Sequence, residues 1–169
     1  MNKKIIKSSQ EIRAALIELS KKINKDFNKE AIDLIAMNHA AKYLVEELTK
    51  LLEMDVRSQS FNFENYENPV ESGEVQITKD LEFPIFNRHV ILADGILISG
   101  NTHFYLCSYL KQRLPKSLSI VCVGKKPKLL AKKIPNCYSL FTFNEEWVEG
   151  YGIGGSENKD KPYLVDTRG

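Results

Sequence analysis

At 169 residues the chain is long enough for a single domain, spanning 1–169, that buries its core without staples. Its 24 basic and 22 acidic residues are dispersed and leave a formal charge of +2, so no basic face points to nucleic acid. Cys107, Cys122 and Cys137 are odd in number and lack a C-x-x-C spacing, which argues against a disulfide framework or a zinc site. The basic start carries only Ile5 and Ile6 as consecutive apolar residues, too few for a leader or a membrane span, so a reduced, cytoplasmic setting is expected.

Ser8-Ser9-Gln10-Glu11 offers a capping box, and Ile12, Leu16, Leu19 and Ile23 recur at helical spacing, which predicts an amphipathic helix over 9–24. Asn28 marks its exit. An apolar run over 31–37 has strand length, and Ala41, Leu44, Leu48 and Leu51 then share one face of a second helix. A strand is predicted over 56–63, followed by a polar loop over 64–73 long enough to act as a flap, and by a strand over 74–78. Val90-Ile91-Leu92-Ala93 reads as a buried strand, Ser99-Gly100-Asn101-Thr102 as a tight turn, and Phe104, Cys107 and Leu110 as the inner face of the next helix. Beyond Pro115 come strands over 118–123 and 138–143, and a tail punctuated by glycine that ends in Tyr163-Leu164-Val165. Strands alternating with helices of this length imply an α/β fold, a mostly parallel twisted sheet flanked by helices on both faces.

The strand, turn and helix around Ser99 form an anion site by construction. The first amides of a helix have no partner within it and sit at the positive end of its dipole, and small residues let a phosphate reach them. Residues 89–103 resemble the phosphoribosyl pyrophosphate signature of type I phosphoribosyltransferases: four apolar residues, two acids, two apolar residues, Asp, Ser or Thr, Gly, any residue, Thr. Anchored on Ser99, Gly100 and Thr102, this chain keeps Asp94 as one acid, has Gly95 in place of the second, and has Ile98 in place of the catalytic Asp. Collinear segments extend the likeness over 9–163: Glu11-Ile12-Arg13, Gly73-Glu74-Val75, Lys79-Asp80-Leu81, Arg113-Leu114-Pro115-Lys116, Lys126-Pro127 and Trp147-Val148-Glu149-Gly150-Tyr151-Gly152. Together they look like hypoxanthine-guanine phosphoribosyltransferases.

The resemblance implies a type I phosphoribosyltransferase fold with a small hood region. It implies that Lys126 donates to the exocyclic oxygen of a purine, that Trp147 stacks on the base, and that the backbone of Val148 reads its edge. It assigns the nucleotide's phosphate and ribose to Asp94, Ser99, Gly100, Asn101 and Thr102, where a side chain at Gly100 is expected to block the backbone approach. The family's pyrophosphate turn aligns with Asn38, His39, Ala40 and Ala41, without its first glycine, and a strained turn there is harder to adopt. Gly154 stands where the family has a magnesium-contacting Asp, and Glu64, Asn65 and Tyr66 stand where its flap carries Ser-Tyr.

Ribosyl transfer passes through an oxocarbenium-like state with charge growing on the leaving pyrophosphate. Ile98 can neither manage a proton nor hold a metal, and loss of a general acid/base costs about a hundredfold to ten-thousandfold in rate. The expectation is a pseudoenzyme: a catalytically impaired or inactive homologue that keeps a purine nucleotide site and needs no cofactor. The alternative is an active 6-oxopurine phosphoribosyltransferase of purine salvage, using magnesium and an acid from the flap such as Glu64 or Glu67. A third reading is a pure interaction scaffold. Expected partners are a purine nucleotide or base, and a second copy or an active paralogue met through the sheet edges or the second helix.

Overall fold

The computed structural model describes residues 4–65, 75–154 and 158–168. In chain order its elements are β1 (Lys4–Lys7), α1 (Ser9–Phe27), β2 (Ile32–Ala36), α2 (His39–Leu51), β3 (Val56–Ser60), β4 (Asn62–Asn65), β5 (Val75–Lys79), β6 (His89–Leu97), α3 (Asn101–Lys111), β7 (Ser117–Lys125), β8 (Cys137–Thr142), β9 (Val148–Glu149) and β10 (Leu164–Asp166). A five-stranded parallel sheet in the order β3-β2-β6-β7-β8 forms the centre. All five residues of β2 and most of β6 are buried, as befits strands covered on both faces.

Local signals explain the helices. Ser8 accepts from the Glu11 N–H while Glu11 accepts from the Ser8 N–H, and Asn28 ends α1 in the left-handed region at φ 46°. The helix runs a turn beyond the expected 9–24 because Phe27 continues the buried stripe of Ile12, Leu16, Leu19 and Ile23. With Ala41, Leu44, Val45 and Leu48 of α2, that stripe covers one sheet face; Leu106, Cys107 and Leu110 of α3, with Phe61 and Val75, cover the other. Phe104 departs from the expected inner face and is exposed, and His103 takes the buried position one turn before Cys107.

Two further expectations change. The strand over 56–63 is two strands: β3 stays in the main sheet, whereas β4 leaves it beyond Phe61 and pairs antiparallel with β5. Glu64 and Asn65 therefore belong to β4 rather than to a loop; Tyr66, Glu67, Gly73 and Glu74 lie outside the described residues. The hood is a three-stranded antiparallel sheet, β1-β10-β9, joining the chain start to its last strand. At the far edge, buried Asp33 accepts from Arg57 and Arg88 and so ties the starts of β3 and β6 to β2. Among the described residues, no helix is long and apolar enough to cross a membrane.

Candidate functional site

In an open parallel sheet, ligands are met beyond the carboxyl ends of the strands. Here β2 delivers Asn38, β6 delivers Asp94 and the turn after Leu97, and β7 delivers Lys126. Asn38, Asp94, Ile98, Ser99, Gly100, Asn101, Thr102 and His103 line one open cavity of about 260 Å³. A larger cleft of about 710 Å³ lies between α3 and residues 133–136, but its wall gathers none of the acids or small turn residues of the signature. The smaller cavity is the chemical one.

Gly100 precedes α3 at φ 78°, in the left-handed region that suits glycine. Of the described α-helices, α1 and α2 are capped by the side chains of Ser8 and Asn38, whereas the N-cap of α3, Gly100, has no side chain to offer and only the Asn101 N–H is met there, by Ser99 Oγ at 3.3 Å. Its first-turn N–H groups precede the first bond of the helix, from Phe104 N–H to Gly100 O at 2.8 Å, and are the donors an anion would meet. A Cβ on Gly100 would come within 2.9 Å of Leu130 Cδ1 and 3.3 Å of Ile134 Cγ2. A larger residue there therefore adds backbone strain and collision with those two side chains to the expected obstruction of phosphate.

Asp94 is 6% exposed and heavily engaged. Its Oδ1 accepts from Asn38 Nδ2 at 2.5 Å and from the Gly95 N–H at 2.6 Å, and its Oδ2 lies 2.8 Å from His103 Nε2. The imidazole N–H is not directed along that line, so the His103 contact is a close approach rather than an aligned hydrogen bond. His103 is 5% exposed and was not singled out from sequence. The signal existed in its spacing to Cys107 and Leu110.

The pyrophosphate-turn residues show the effect of the missing glycine. Asn38 is extended at φ −155° and caps α2 by accepting from the Ala41 N–H at 2.9 Å, so this turn is an ordinary helix start. His39 is exposed, with Asp160 Oδ1 at 3.9 Å, and stacks edge-on against Tyr43. Ala40 is buried. A Cβ on Gly95 would stand 2.8 Å from Ala40 Cβ and 3.1 Å from Ile153 Cγ1, while one on Gly152 would stand 2.7 Å from Ala40 Cα. Two glycines and an alanine thus let the hood turn and α2 close directly over β6. Ile98, by contrast, is 43% exposed at the cavity rim.

The other half of the site is built at the end of β7. Lys126 is 7% exposed, its N–H donates to Leu97 O at 2.9 Å, and its Nζ lies 6.0 Å from the Trp147 ring centroid. Trp147 is 50% exposed and anchored by its backbone: its N–H donates to Asp166 Oδ1 at 2.9 Å and its carbonyl accepts from the Thr167 N–H. Arg168 Cζ lies 5.0 Å from the same ring centroid. Val148 is buried opposite Asp166 in the β9-β10 ladder. The backbone N–H groups of Arg168 and Trp147 hold the Asp166 carboxyl below the usual carboxylate range, leaving it charged beside two cations. Asp166 and Arg168, like His103, were not anticipated from sequence.

Comparison with known proteins agrees with this geometry. Residues 2–154 match the family model of the phosphoribosyl transferase domain. The chain is 29% identical over 165 residues to the hypoxanthine phosphoribosyltransferase of Buchnera aphidicola subsp. Schizaphis graminum, covering 95% of this chain and 93% of that one. It is 27% identical to the hypoxanthine-guanine phosphoribosyltransferase of Streptococcus pneumoniae, covering 96% and 91%. A crystal structure of a hypoxanthine-guanine phosphoribosyltransferase from Bacillus anthracis superposes with a TM-score of 0.91 at 25% identity, covering 96% and 97%. With the sheet order, the turn before α3 and these likenesses in accord, the chain belongs to the type I phosphoribosyltransferase family and is hypoxanthine-guanine phosphoribosyltransferase-like.

Proposed function

We propose that this chain binds a purine nucleoside monophosphate at a phosphoribosyltransferase site whose transfer chemistry is strongly impaired. The observation that carries the reading is the state of Asp94: this acid of the signature is already bound by Asn38, the Gly95 N–H and His103. With Oδ1 accepting two hydrogen bonds and Oδ2 packed against the His103 ring, this carboxylate is a poor proton acceptor for a reacting base and a poor ligand for a metal. Magnesium does not fit the described residues for the same reason, since Gly95, Ile98 and Gly154 stand at the other positions where the family has acids. A monophosphate asks for less. The uncapped start of α3 supplies N–H donors and a favourable dipole, Trp147 supplies a stacking face, and Lys126 a donor to an exocyclic oxygen.

One contact favours the second reading, an active purine phosphoribosyltransferase with atypical groups. Glu149 packs beside Gly154, its Cγ 3.1 Å from where a Cβ on that glycine would stand, so an acid lies next to the position that lacks one. A steady-state assay with hypoxanthine or guanine and phosphoribosyl pyrophosphate separates the two. Turnover at least about a thousandfold below an active relative is expected; turnover on the order of 1 to 100 per second gives the second reading precedence. Calorimetry tests the site itself. Inosine or guanosine monophosphate is expected to bind with little dependence on magnesium, and Lys126→Ala to lose the preference for bases with an exocyclic oxygen. No binding of either at millimolar concentration leaves only the scaffold. For assembly, the resemblance points to a homodimer or to pairing with an active paralogue.

A further inference from the structure

Cys122 in β7 and Cys137 at the start of β8 occupy neighbouring parallel strands, and the register sets Cys122 opposite Ser139 and Cys137 opposite Ile120. The two cysteines are therefore diagonal neighbours on one face of the sheet, and their sulfurs lie 3.7 Å apart. They differ in surroundings. Cys122 is fully buried, whereas Cys137 is partly exposed and lines a cavity of about 290 Å³ with Leu97, Lys125 and Lys126. The Cys122 S–H bonded to the Cys137 sulfur, aided by the Lys125 charge, draws the Cys137 thiol below its ordinary pKa. Giving that bond, together with burial, pushes the Cys122 thiol well up. Cys107 is isolated on α3, where burial raises it to about 12. An accessible sulfur inclined to ionise thus sits against a buried sulfur inclined to keep its proton, the division of labour of an attacking and a resolving thiol.

We propose that Cys137 and Cys122 form a peroxide-reactive dithiol, a modification site in which Cys137 reacts with hydroperoxides and Cys122 closes the product to an intramolecular disulfide. The Cys137 thiolate attacks one peroxide oxygen, the O–O bond breaks, and hydroxide or alkoxide leaves to be protonated, giving a sulfenic acid. The Cys122 sulfur then attacks the sulfenic sulfur, the S–O bond breaks, and hydroxide leaves with the proton that Cys122 gives up. Two thiols are oxidised by two electrons, and one hydroperoxide is reduced to water and either water or an alcohol. Cys122 and Cys137 are two residues out of register on neighbouring strands, at the long end of what a disulfide spans. Closure therefore draws the start of β8 inward, against the bond from the Ile120 N–H to Asn136 O at 2.8 Å. A bridge made under that tension is readily reduced, which makes the modification reversible. Pro135 and Asn136 move with it, and both wall the cavity that Lys126 lines.

The full reduced chain treated with stoichiometric hydrogen peroxide is expected to lose the mass of two hydrogens and to yield a Cys122–Cys137 linked peptide that dithiothreitol abolishes. Cys122→Ser is expected to halt at a Cys137 sulfenic acid trapped by dimedone. Cys137→Ser is expected to slow thiol loss at least about tenfold. Circular dichroism checks that both variants fold. If either does not, alkylation of the wild type by iodoacetamide, followed by peptide mass, still decides: Cys137 is expected to react at least about tenfold faster than Cys107 and Cys122. The proposal is overturned if Cys107 or Cys122 reacts first, if the three label equally, or if Cys137 advances to sulfinic acid with no link to Cys122. None of these readouts depends on nucleotide binding.

Discussion

At the scale of single residues, the Asp94 cluster illustrates the condition on burying a carboxylate: every lone pair needs a donor. Asn38 and the Gly95 N–H meet that condition for Oδ1 within the protein, while Oδ2 lies against His103, so the acid acts as a brace between β6, α2 and α3. His103→Leu is expected to lower stability by about 1–3 kcal/mol in urea unfolding, because Asp94 keeps the donors to Oδ1 but Oδ2 is left buried against an apolar side chain. Asn101→Glu separates binding from folding. An acid in the first turn complements the helix dipole while repelling an incoming phosphate, so the melting temperature is expected to hold or rise as monophosphate affinity falls at least about tenfold. Asn101 is exposed, which leaves the fold indifferent to the change. Asp94, the turn residues, Lys126 and Trp147 were legible because motifs mark them. His103 and Arg168 were not, since one enters through the tilt of a helix and the other through a tail that returns to the site.

Elements follow their local codes closely wherever one code acts alone. The capping box and four-residue stripe of α1 sufficed to place it, and Ser8→Ala is expected to cost about 1 kcal/mol in thermal or denaturant unfolding. The segment 56–63 was misread because no glycine or proline interrupts it, while the chain changes sheets at Phe61, a tertiary choice that no period encodes. α3 depends on Gly100 in a different sense from the other helices, as its start is set by a left-handed backbone rather than by a cap. Gly100→Val is expected to destabilise the whole domain by at least about 1–3 kcal/mol, so a loss of binding in that variant reports on folding as well as on the phosphate turn; circular dichroism beside calorimetry distinguishes the two.

Considered as a whole molecule, the sheet presents its carboxyl ends to a hood tied to both ends of the described chain; the parallel sheet was readable from the alternation of strands and helices, the hood only from the family resemblance. The catalytic deficit proposed above is also a property of the whole. Ile98→Asp on its own is expected to leave transfer at the wild-type level in the steady-state assay, because groups that act as a unit are not restored singly. Strong transfer by that one variant would make Ile98 an isolated lesion. Association is expected as well, with sedimentation showing a dimer at micromolar concentration. The apolar stripe of α2 is spent on its own sheet and is not available to a partner.

The contact of Gly95 and Gly152 with Ala40 decides what a redesign of the site would have to move. An acid returned to position 95 meets Ala40 at 2.8 Å and Ile153 at 3.1 Å, so it destabilises the protein before it can assist any reaction. Placing an acid there therefore has no single-substitution route: the hood turn and the head of α2 must give way with it, and a variant carrying the acid alone reports on packing as much as on chemistry.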